Sequence, residues 1–127
     1  VMFMKDCLFC DIINGSVSSY TLYEDDMVKV FLDAYPDSPG HTLIIPKKHF
    51  TELEDIEIDY LTHIMEIAKK VKKAMIENLN PDSVILIQNN GEAQFVKHYH
   101  LHLIPKYKRK VELSREEIFD LMRDKIK

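Results

Sequence analysis

"HYHLHLIP", residues 98–105, decides the fold, because three of the chain's six histidines occupy every second position there. Side chains alternate between the two faces of a β-strand, so this spacing predicts a strand with His98, His100 and His102 on one face. The intervening apolar residues then form the core side. A single strand histidine is usually an ordinary surface residue, but three in strict alternation indicate a face that binds or reacts.

Two kinds of chemistry fit such a face. Imidazoles two residues apart can share a zinc ion, but the first and third lie about 13 Å apart along an extended backbone. Zn–N bonds are only about 2.0–2.1 Å, so one metal held by all three is strained. Alternatively, one neutral imidazole is a nucleophile near pH 7 and a neighbour donates a hydrogen bond to the substrate. The residue pattern alone leaves both open.

Working outward, the sequence predicts an α+β fold with an antiparallel five-stranded sheet, a long helix, and short N- and C-terminal helices. The chain order is a short helix, three strands, the long helix, a buried strand, the histidine strand across a hairpin-length loop, and a final helix. Besides the opening stretch, the segments that predict these elements are 10–16, 21–25, 27–33, 42–46, 55–80, 82–91 and 114–127.

The long helix carries the clearest pattern, since apolar residues recur at alternating steps of three and four. They are Leu61, Ile64, Ala68, Val71 and Met75. His63 lies outside this series and is expected to be a surface helix residue. Ser114 and Glu117 have the spacing of a capping box and predict the start of the last helix.

Length and charge narrow the class of protein. The 127 residues fit one domain, 1–127, with an N-terminal extension over 1–6 and a helical tail over 109–127. A net charge of −4 provides no basic field for nucleic acid or anionic lipid. No apolar run approaches the ~20 residues needed to cross a bilayer. Neither a nucleic-acid nor a membrane partner is therefore expected.

The only cysteines are Cys7 and Cys10, too few for a disulfide framework. The segment 1–10 has no long apolar core, so no export signal is read there. Two closely spaced thiols then suggest a reducing compartment, the cytoplasm. The pair is half of a metal site, a redox pair or two buried thiols. The βαβ context of a thioredoxin-like redox pair is missing, which disfavours the second option.

Taken together, the motifs resemble the histidine triad (HIT) family of nucleotide hydrolases and transferases. "HYHLHLIP" matches its His-x-His-x-His signature, and "GHTLIIPKKH" and "IQNNGEAQFVKH" resemble two further family segments. The resemblance extends over about residues 7–108 and implies the HIT-like fold. It also implies a purine-nucleotide (AMP-like) ligand, and a homodimer in which the long helix and the sheet edges meet across a two-fold axis.

The resemblance implies a role for each matching residue. His100 matches the nucleophile that attacks the α-phosphorus and forms a nucleotidyl intermediate, and His102 matches a phosphate contact. His98 and His41 match the other two active-site histidines. Asp33 matches the acceptor of the ribose hydroxyls, a task that suits an acceptor-only carboxylate. The full implied nucleotide-binding set is Asp33, Asn89, Gln94, His100 and His102.

Some branches of the family join a Cys-x-x-Cys pair to two histidines around a structural zinc ion. The matching residues here are Cys7, Cys10, His49 and His98. Two thiolates and two imidazoles complete a tetrahedral shell with no open position, as structural sites do. No catalytic metal is expected, since an imidazole nucleophile needs none. A histidine-ligated metalloenzyme outside the family is the remaining alternative.

One turn departs from the family pattern. "NNGEAQFVKH" is shorter than the usual Asn-x-Gly-x-x-Ala-Gly-Gln-x-Val-x-His, and Phe95 stands where the phosphoramidase branch has Ser. The leading function is cleavage of nucleoside phosphoramidates or adenylates to the monophosphate. The alternatives are a hydrolase of dinucleoside polyphosphates such as diadenosine tetraphosphate, and a purine-nucleotide sensor or interaction module with little turnover.

Overall fold

The structure, a computed structural model, describes residues 7–127, and within them it has a five-stranded antiparallel sheet and three α-helices. The predicted α+β class is confirmed. The expected extension over 1–6 lies outside the described residues. The elements in order are α1 (Leu8–Ile13), β1 (Thr21–Glu24), β2 (Val28–Leu32), β3 (Thr42–Pro46), α2 (Ile58–Leu79), β4 (Ser83–Ile87), β5 (Leu101–Lys106) and α3 (Arg115–Met122).

The sheet has the strand order β1-β2-β3-β5-β4, and every neighbouring pair is antiparallel. Strands β2 and β3 are buried along their whole length, and all their residues except Lys29 and Thr42 are apolar. They form the centre of the sheet with β5, where Leu43 pairs with His102 and Ile44 pairs with Leu101. The central strands therefore need cover on both sides of the sheet.

On one side, α2 packs its apolar stripe against the sheet to form the main core. The buried residues of the stripe are Ile64, Ile67, Ala68, Val71, Ala74, Met75 and Leu79. Three sheet residues from β2 and three from the histidine segment face it, namely Val28, Val30, Leu32, Tyr99, Leu101 and Leu103. The predicted apolar side of the histidine strand is confirmed. No helix among residues 7–127 is long and apolar enough to span a membrane.

On the other side, α1 covers a second, smaller core. Phe9 and Ile12 pack against Phe31, Leu43 and Ile45 of the sheet. The largely buried Lys29 side chain donates from Nζ to the carbonyl oxygen of Ile12, at 3.1 Å. This contact satisfies a carbonyl at the end of α1, where the helix leaves its acceptors without partners. The short helix is thus fixed to the face on which the histidines lie.

Strand β4 is not the buried strand that its apolar run predicts. It is an edge strand, and Ile85, Leu86 and Ile87 are 40%, 40% and 39% exposed. The reason is topological: β4 pairs only with β5, and nothing in the described chain pairs with its outer edge. Its antiparallel pairing with the histidine strand is confirmed.

The histidine strand also begins later than predicted, at Leu101 instead of His98. Strand β3 pairs with β5 only as far as Ile44, so the preceding residues lie beyond the ladder. The connection from β4 therefore runs over residues 88–100, longer than a hairpin loop, and contains a single 3₁₀ turn at Gly91–Ala93. Three histidines in alternation predicted their shared face correctly, but not the end of the ladder.

The start of α3 follows its sequence signal. Ser114 Oγ accepts from Glu117 N at 3.1 Å and Glu117 Oε1 accepts from Ser114 N at 2.9 Å, so the capping box is confirmed. His63, expected to be a surface helix residue, has a specific partner. Its side chain is only 26% exposed, and Nε2 lies 2.6 Å from Asp25 Oδ2 in the β1–β2 turn.

The β2–β3 connection is held tightly against the rest of the fold. Gly40 has φ +99°, and a Cβ there would lie 2.7 Å from Leu79 Cδ1 and 3.0 Å from Pro105 Cγ. Glycine alone tolerates both the left-handed conformation and the close approach. The Tyr107 hydroxyl also donates to the carbonyl of Pro39 at 2.7 Å. The end of this connection that precedes β3 is thereby fixed in position.

Candidate active site and metal centre

The sheet face opposite α2 brings the predicted residues together. Asp33 follows β2 and His41 precedes β3, and the two pair across the connection, with Asp33 N donating to the carbonyl of His41 at 2.9 Å. Both continue the side-chain alternation of their strands, so they lie on the face that carries Phe31 and Leu43. The register of β3 with β5 places His102 opposite Leu43, on that same face.

Asp33, His41 and His102 form a compact group, called here the cavity cluster. His41 Nε2 lies 2.9 Å from His102 Nδ1 and 3.4 Å from Asp33 Oδ2. Burial lowers the pKa of His41, although the nearby Asp33 carboxylate opposes the effect. Burial lowers the pKa of His102 most, and the repulsion that a protonated His41 would exert lowers it further. Both rings are therefore neutral near pH 7.

His100 is buried beneath α1, where the ring of Phe9 meets it edge-on with centroids 4.9 Å apart. Its Nδ1 lies 2.7 Å from the carbonyl oxygen of His98, which can only accept, so Nδ1 carries the ring proton and Nε2 keeps its lone pair. Burial lowers the pKa of His100, and this hydrogen bond only partly opposes it. His100 is therefore a neutral imidazole with one free nitrogen.

These residues line a cavity of about 670 Å³. One part of its wall is apolar and comes from α1, the segment after it and β2, where Phe9, Ile12, Val17, Phe31 and Leu32 line it. The other part is polar and includes Asp33, His41, Asn89, His100 and His102. An apolar end beside a few convergent polar groups is the usual composition of a small-molecule site.

Gln94 is the one predicted nucleotide-binding residue that does not line this cavity. It is 1% exposed, and its Nε2 donates to the carbonyl of Thr51 at 2.6 Å. The main-chain amide of Gln94 closes the 3₁₀ turn by donating to the carbonyl of Gly91 at 3.0 Å. Its neighbour Phe95 lines the cavity instead and is 97% exposed. The shortened turn is the one sequence feature that could have indicated that Phe95, and not Gln94, faces the cavity.

The apolar wall of the cavity was not predicted from the sequence. Phe9 and Ile12 are separated by three positions on a short helix, a pattern that indicates a packed face without saying what it faces. The proximity of this helix to the cysteine pair was the one available clue. Tyr35, 89% exposed at the rim, gave no signal beyond its place in a Pro-rich loop.

The second group, called here the thiol–imidazole cluster, consists of Cys7, Cys10, His49 and His98. Their candidate ligand atoms all lie within 4.8 Å of one another. Cys7 Sγ is 3.4 Å from His98 Nδ1, and Cys10 Sγ is 3.3 Å from His49 Nδ1 and 3.6 Å from His98 Nδ1. The four residues proposed from the resemblance are thus brought together, and both cysteines are free thiols.

The geometry of this cluster fits a tetrahedral zinc ion. Bonds of about 2.3 Å to sulfur and 2.0–2.1 Å to nitrogen imply sulfur–nitrogen distances of about 3.6 Å. The distances of 3.3–3.6 Å found here are close to that value. His98 Nε2 lies 2.8 Å from the carbonyl of Pro46, so it donates there and leaves Nδ1 unprotonated for a metal.

The local backbone prepares the two sulfurs for the same task. Cys7 is the N-cap of α1, and its Sγ accepts from the amide of Cys10 at 3.3 Å. Burial, and then the neighbouring Cys7, raise the pKa of Cys10 to about 12. A bound cation would reverse this preference and hold both sulfurs as thiolates. The donor set, its spacing and its orientation all suit zinc.

Comparison with known proteins places these features in a family. A family model described as HIT domain matches residues 14–109. An adenosine 5'-monophosphoramidase of Saccharomyces cerevisiae is 45% identical over 102 residues, 79% of this chain and 62% of the yeast protein.

Solved structures agree with the sequence relatives. A zinc-bound histidine triad family protein from Mycobacterium smegmatis superposes with a TM-score of 0.88 at 30% identity, covering 98% of this chain and 95% of that one. A hypothetical histidine triad nucleotide-binding protein from Sulfolobus tokodaii also has a TM-score of 0.88, at 31% identity over 94% and 91% of the two chains.

Proposed function

Because the chain belongs to the HIT domain family, we propose that it is a nucleotide-binding hydrolase that cleaves nucleoside phosphoramidates and related adenylates to the nucleoside monophosphate. The observation that carries the proposal is the state of His100. Its Nδ1 proton is held by a backbone carbonyl, and its ring lines a cavity that His102 also lines. The similarity to a yeast adenosine 5'-monophosphoramidase supports the choice of substrate class.

In the first step, His100 Nε2 attacks the α-phosphorus of the nucleotide. The N–P bond forms, the bond from phosphorus to the leaving group breaks, and the leaving group takes a proton from solvent. In the second step, a water oxygen attacks phosphorus and the N–P bond breaks. The monophosphate and the ring of His100 are released, and the proton of the water returns to solvent.

The cavity accounts for binding of the nucleotide. Asp33, an acceptor-only carboxylate, receives the hydrogen bonds of the ribose hydroxyls. The apolar wall built by α1 and β2 holds the base, and Asn89 and His102 contact the phosphate. Gln94, buried under the turn, has no direct contact in this arrangement.

Zinc has a separate, structural role in the proposal. Cys7, Cys10, His49 and His98 would hold one ion, and these ligands would then join α1, and with it the apolar wall, to the sheet. The ion takes no part in the proposed steps, since a neutral imidazole is already a nucleophile near pH 7. Two cysteines that form no disulfide suit a reducing compartment, so we place the protein in the cytoplasm.

Two specific observations favour other ligands for the same site. Tyr35 and Phe95 expose aromatic rings at the rim, where a second base would stack, which favours a dinucleoside polyphosphate such as diadenosine tetraphosphate. Gln94 does not reach the cavity, which removes one polar contact to the phosphates and favours a purine-nucleotide sensor with little turnover.

The proposed assembly is a homodimer formed through the outer edge of β4. This edge presents three partly exposed apolar residues and a row of backbone groups without partners among the described residues. A second copy would extend the sheet across a two-fold axis, which is the most economical cover for such an edge.

The test is turnover of three compounds by the zinc-loaded protein and by His100→Ala. Adenosine phosphoramidate should release AMP, diadenosine tetraphosphate should be cleaved more slowly, and AMP should bind as product. EDTA should leave turnover intact as long as the bound zinc is retained, which metal analysis and circular dichroism check. His100→Ala should lose turnover by at least about a thousandfold, as expected when a covalent nucleophile is removed.

The matched control is His63→Ala, which removes a histidine that lies outside the cavity. It should retain wild-type turnover per folded molecule. AMP binding without cleavage of either substrate would favour the sensor. Turnover that persists in His100→Ala would refute the histidine nucleophile.

A further inference from the structure

The ring nitrogens of His41 have different partners, and these fix where its proton lies. Nδ1 lies 3.0 Å from the main-chain nitrogen of Asp37, in the β2–β3 connection. A backbone N–H can only donate, so Nδ1 of His41 must accept with its lone pair. A neutral imidazole has one ring proton, and in His41 that proton must therefore be on Nε2.

The proton on His41 Nε2 in turn determines the tautomer of His102. His41 Nε2–H is 2.9 Å from His102 Nδ1 and 3.4 Å from Asp33 Oδ2, so the shorter contact is to the imidazole. His102 Nδ1 accepts this proton's hydrogen bond. A neutral His102 then carries its own proton on Nε2, and the ring lines the cavity.

We infer that the main-chain amide of Asp37, acting through His41, selects the tautomer of His102 and so presents its Nε2–H as a hydrogen-bond donor to the nucleotide phosphate. His41 is a positioning residue in this arrangement, since it acts through another ring. The inference rests on the proposed function only for the identity of the ligand. The tautomers themselves follow from the hydrogen bonds within the protein.

The arrangement gives neighbouring histidines of one strand opposite tautomers. His100 has its proton on Nδ1, held by the carbonyl of His98, and so offers a lone pair. His102 offers an N–H. A phosphorus centre under attack needs both, one nucleophile and a donor to the oxygens that gain charge. The carbonyl of His98 and the amide of Asp37 therefore determine that His100 offers the lone pair and His102 the N–H donor.

The tautomer of His41 also bears on whether the cavity cluster could hold a metal ion. The cavity cluster also has its candidate ligand atoms within 4.8 Å of one another. His41 cannot offer Nε2 to a metal while Nδ1 accepts from Asp37, because the ring would then hold no proton. His98 is prepared in the opposite way, with Nε2–H on Pro46 and Nδ1 free.

The test is ¹⁵N–¹H spectroscopy of histidine-labelled, zinc-loaded protein at neutral pH, which reads the tautomer of each ring. We expect the proton on Nε2 in His41 and His102 and on Nδ1 in His100. Addition of AMP should shift the Nε2 proton of His102. A His102 ring with its proton on Nδ1, or AMP binding that leaves its Nε2 signal unmoved, would overturn the inference.

Two variants of His41 separate a positioning role from a merely structural one. His41→Phe keeps a ring but no donor, so His102 should become a mixture of tautomers and kcat should fall by about a hundredfold, the loss expected for one donor. His41→Gln can still donate from its side-chain amide, so it should restore the His102 tautomer and part of kcat. An unchanged His102 tautomer in His41→Phe would overturn the inference.

The inference and the proposed function can fail separately. Tautomers as expected, with an AMP-induced shift at His102 but no turnover of any substrate, would support the inference and refute the hydrolase. Turnover together with a His102 proton on Nδ1 would do the reverse. Thermal unfolding of both variants identifies any change that comes from loss of folding.

Discussion

Asp25 shows how much a single residue in a turn can hold together. Its Oδ1 accepts from the amides of Met27 and Val28 at 2.8 and 2.9 Å, and its Oδ2 accepts from Tyr23 at 2.8 Å and from His63 at 2.6 Å. One carboxylate thus closes the β1–β2 turn and connects it to α2. Burial alone would raise the pKa of Asp25, but these hydrogen bonds outweigh it and lower the pKa to about 2.

The first prediction concerns Asp25→Asn, which should lower the free energy of unfolding by about 2 kcal/mol at pH 7, the usual value of hydrogen bonds to a charged group. A folded-state pKa below the unfolded value of 3.8 stabilises the protein above that value. The advantage of the wild type should therefore disappear as the pH falls from about 4 to about 2. Urea unfolding across this range measures it.

The control is Asp26→Asn, which changes the adjacent, exposed carboxylate. It should leave the free energy of unfolding within about 0.5 kcal/mol of the wild type. An equal effect of the two substitutions, or a difference that persists at pH 2, would contradict the assignment.

For individual residues, the sequence predicted the face on which a side chain lies better than the residues that it contacts. The alternation of His98, His100 and His102 gave their common face, because the period of a strand is fixed by its geometry. The partners of His63 and Gln94 were not predictable in the same way. They depend on where a turn and a loop from elsewhere in the chain come to lie, and no local pattern encodes that.

Among the elements, the short helix α1 contributes to several parts of the molecule. It carries Cys10, has Cys7 as its N-cap, and contributes Phe9 and Ile12 to both the small core and the cavity wall. Six residues are too few for a helix to be stable by itself. Its position must come from contacts with the sheet, and a metal ion held by the thiol–imidazole cluster would add to these contacts.

The second prediction follows from this dependence. Protein purified without chelator should contain about one zinc ion per chain, and removal of the ion should selectively loosen α1. Hydrogen exchange should rise at residues 8–13 while α2 keeps its protection, since α2 packs on the opposite face. Nucleotide affinity should fall together with the protection of α1.

Cys10→Ser provides the matched variant, because it keeps the size of the side chain and removes a zinc-binding thiolate. It should reproduce the loosened α1 without any chelator. A metal-free protein with wild-type exchange and full activity would show that zinc has no structural role here.

For the molecule as a whole, the two faces of the sheet have separate tasks. The face under α2 and α3 holds the main core, whereas the face under α1 holds the cavity and both histidine clusters. The order and type of the elements were predicted from the sequence, because long periodic patterns are strong signals. The exposure of β4 was not, because an apolar run looks the same in an edge strand as in a central strand.

The third prediction concerns the proposed dimer through β4. Leu86→Lys places a charge on the outer strand and should convert the proposed dimer into a monomer, as measured by light scattering after size exclusion. Leu121→Lys, on α3, is a close control, because Leu121 is 41% exposed and Leu86 is 40% exposed. It should leave the mass unchanged. A wild-type protein that is monomeric at every concentration would contradict the dimer.

The spacing of the thiol–imidazole cluster along the chain also bears on the order of folding. Cys7 and Cys10 are neighbours in sequence, whereas Cys10 is 39 positions from His49 and Cys7 is 91 positions from His98. Closing such long loops costs entropy that only a largely formed sheet repays. We therefore expect the two cysteines to capture the ion early and the two histidines to complete its shell late. Zinc would then join the cysteines to the two histidines only after the sheet has formed.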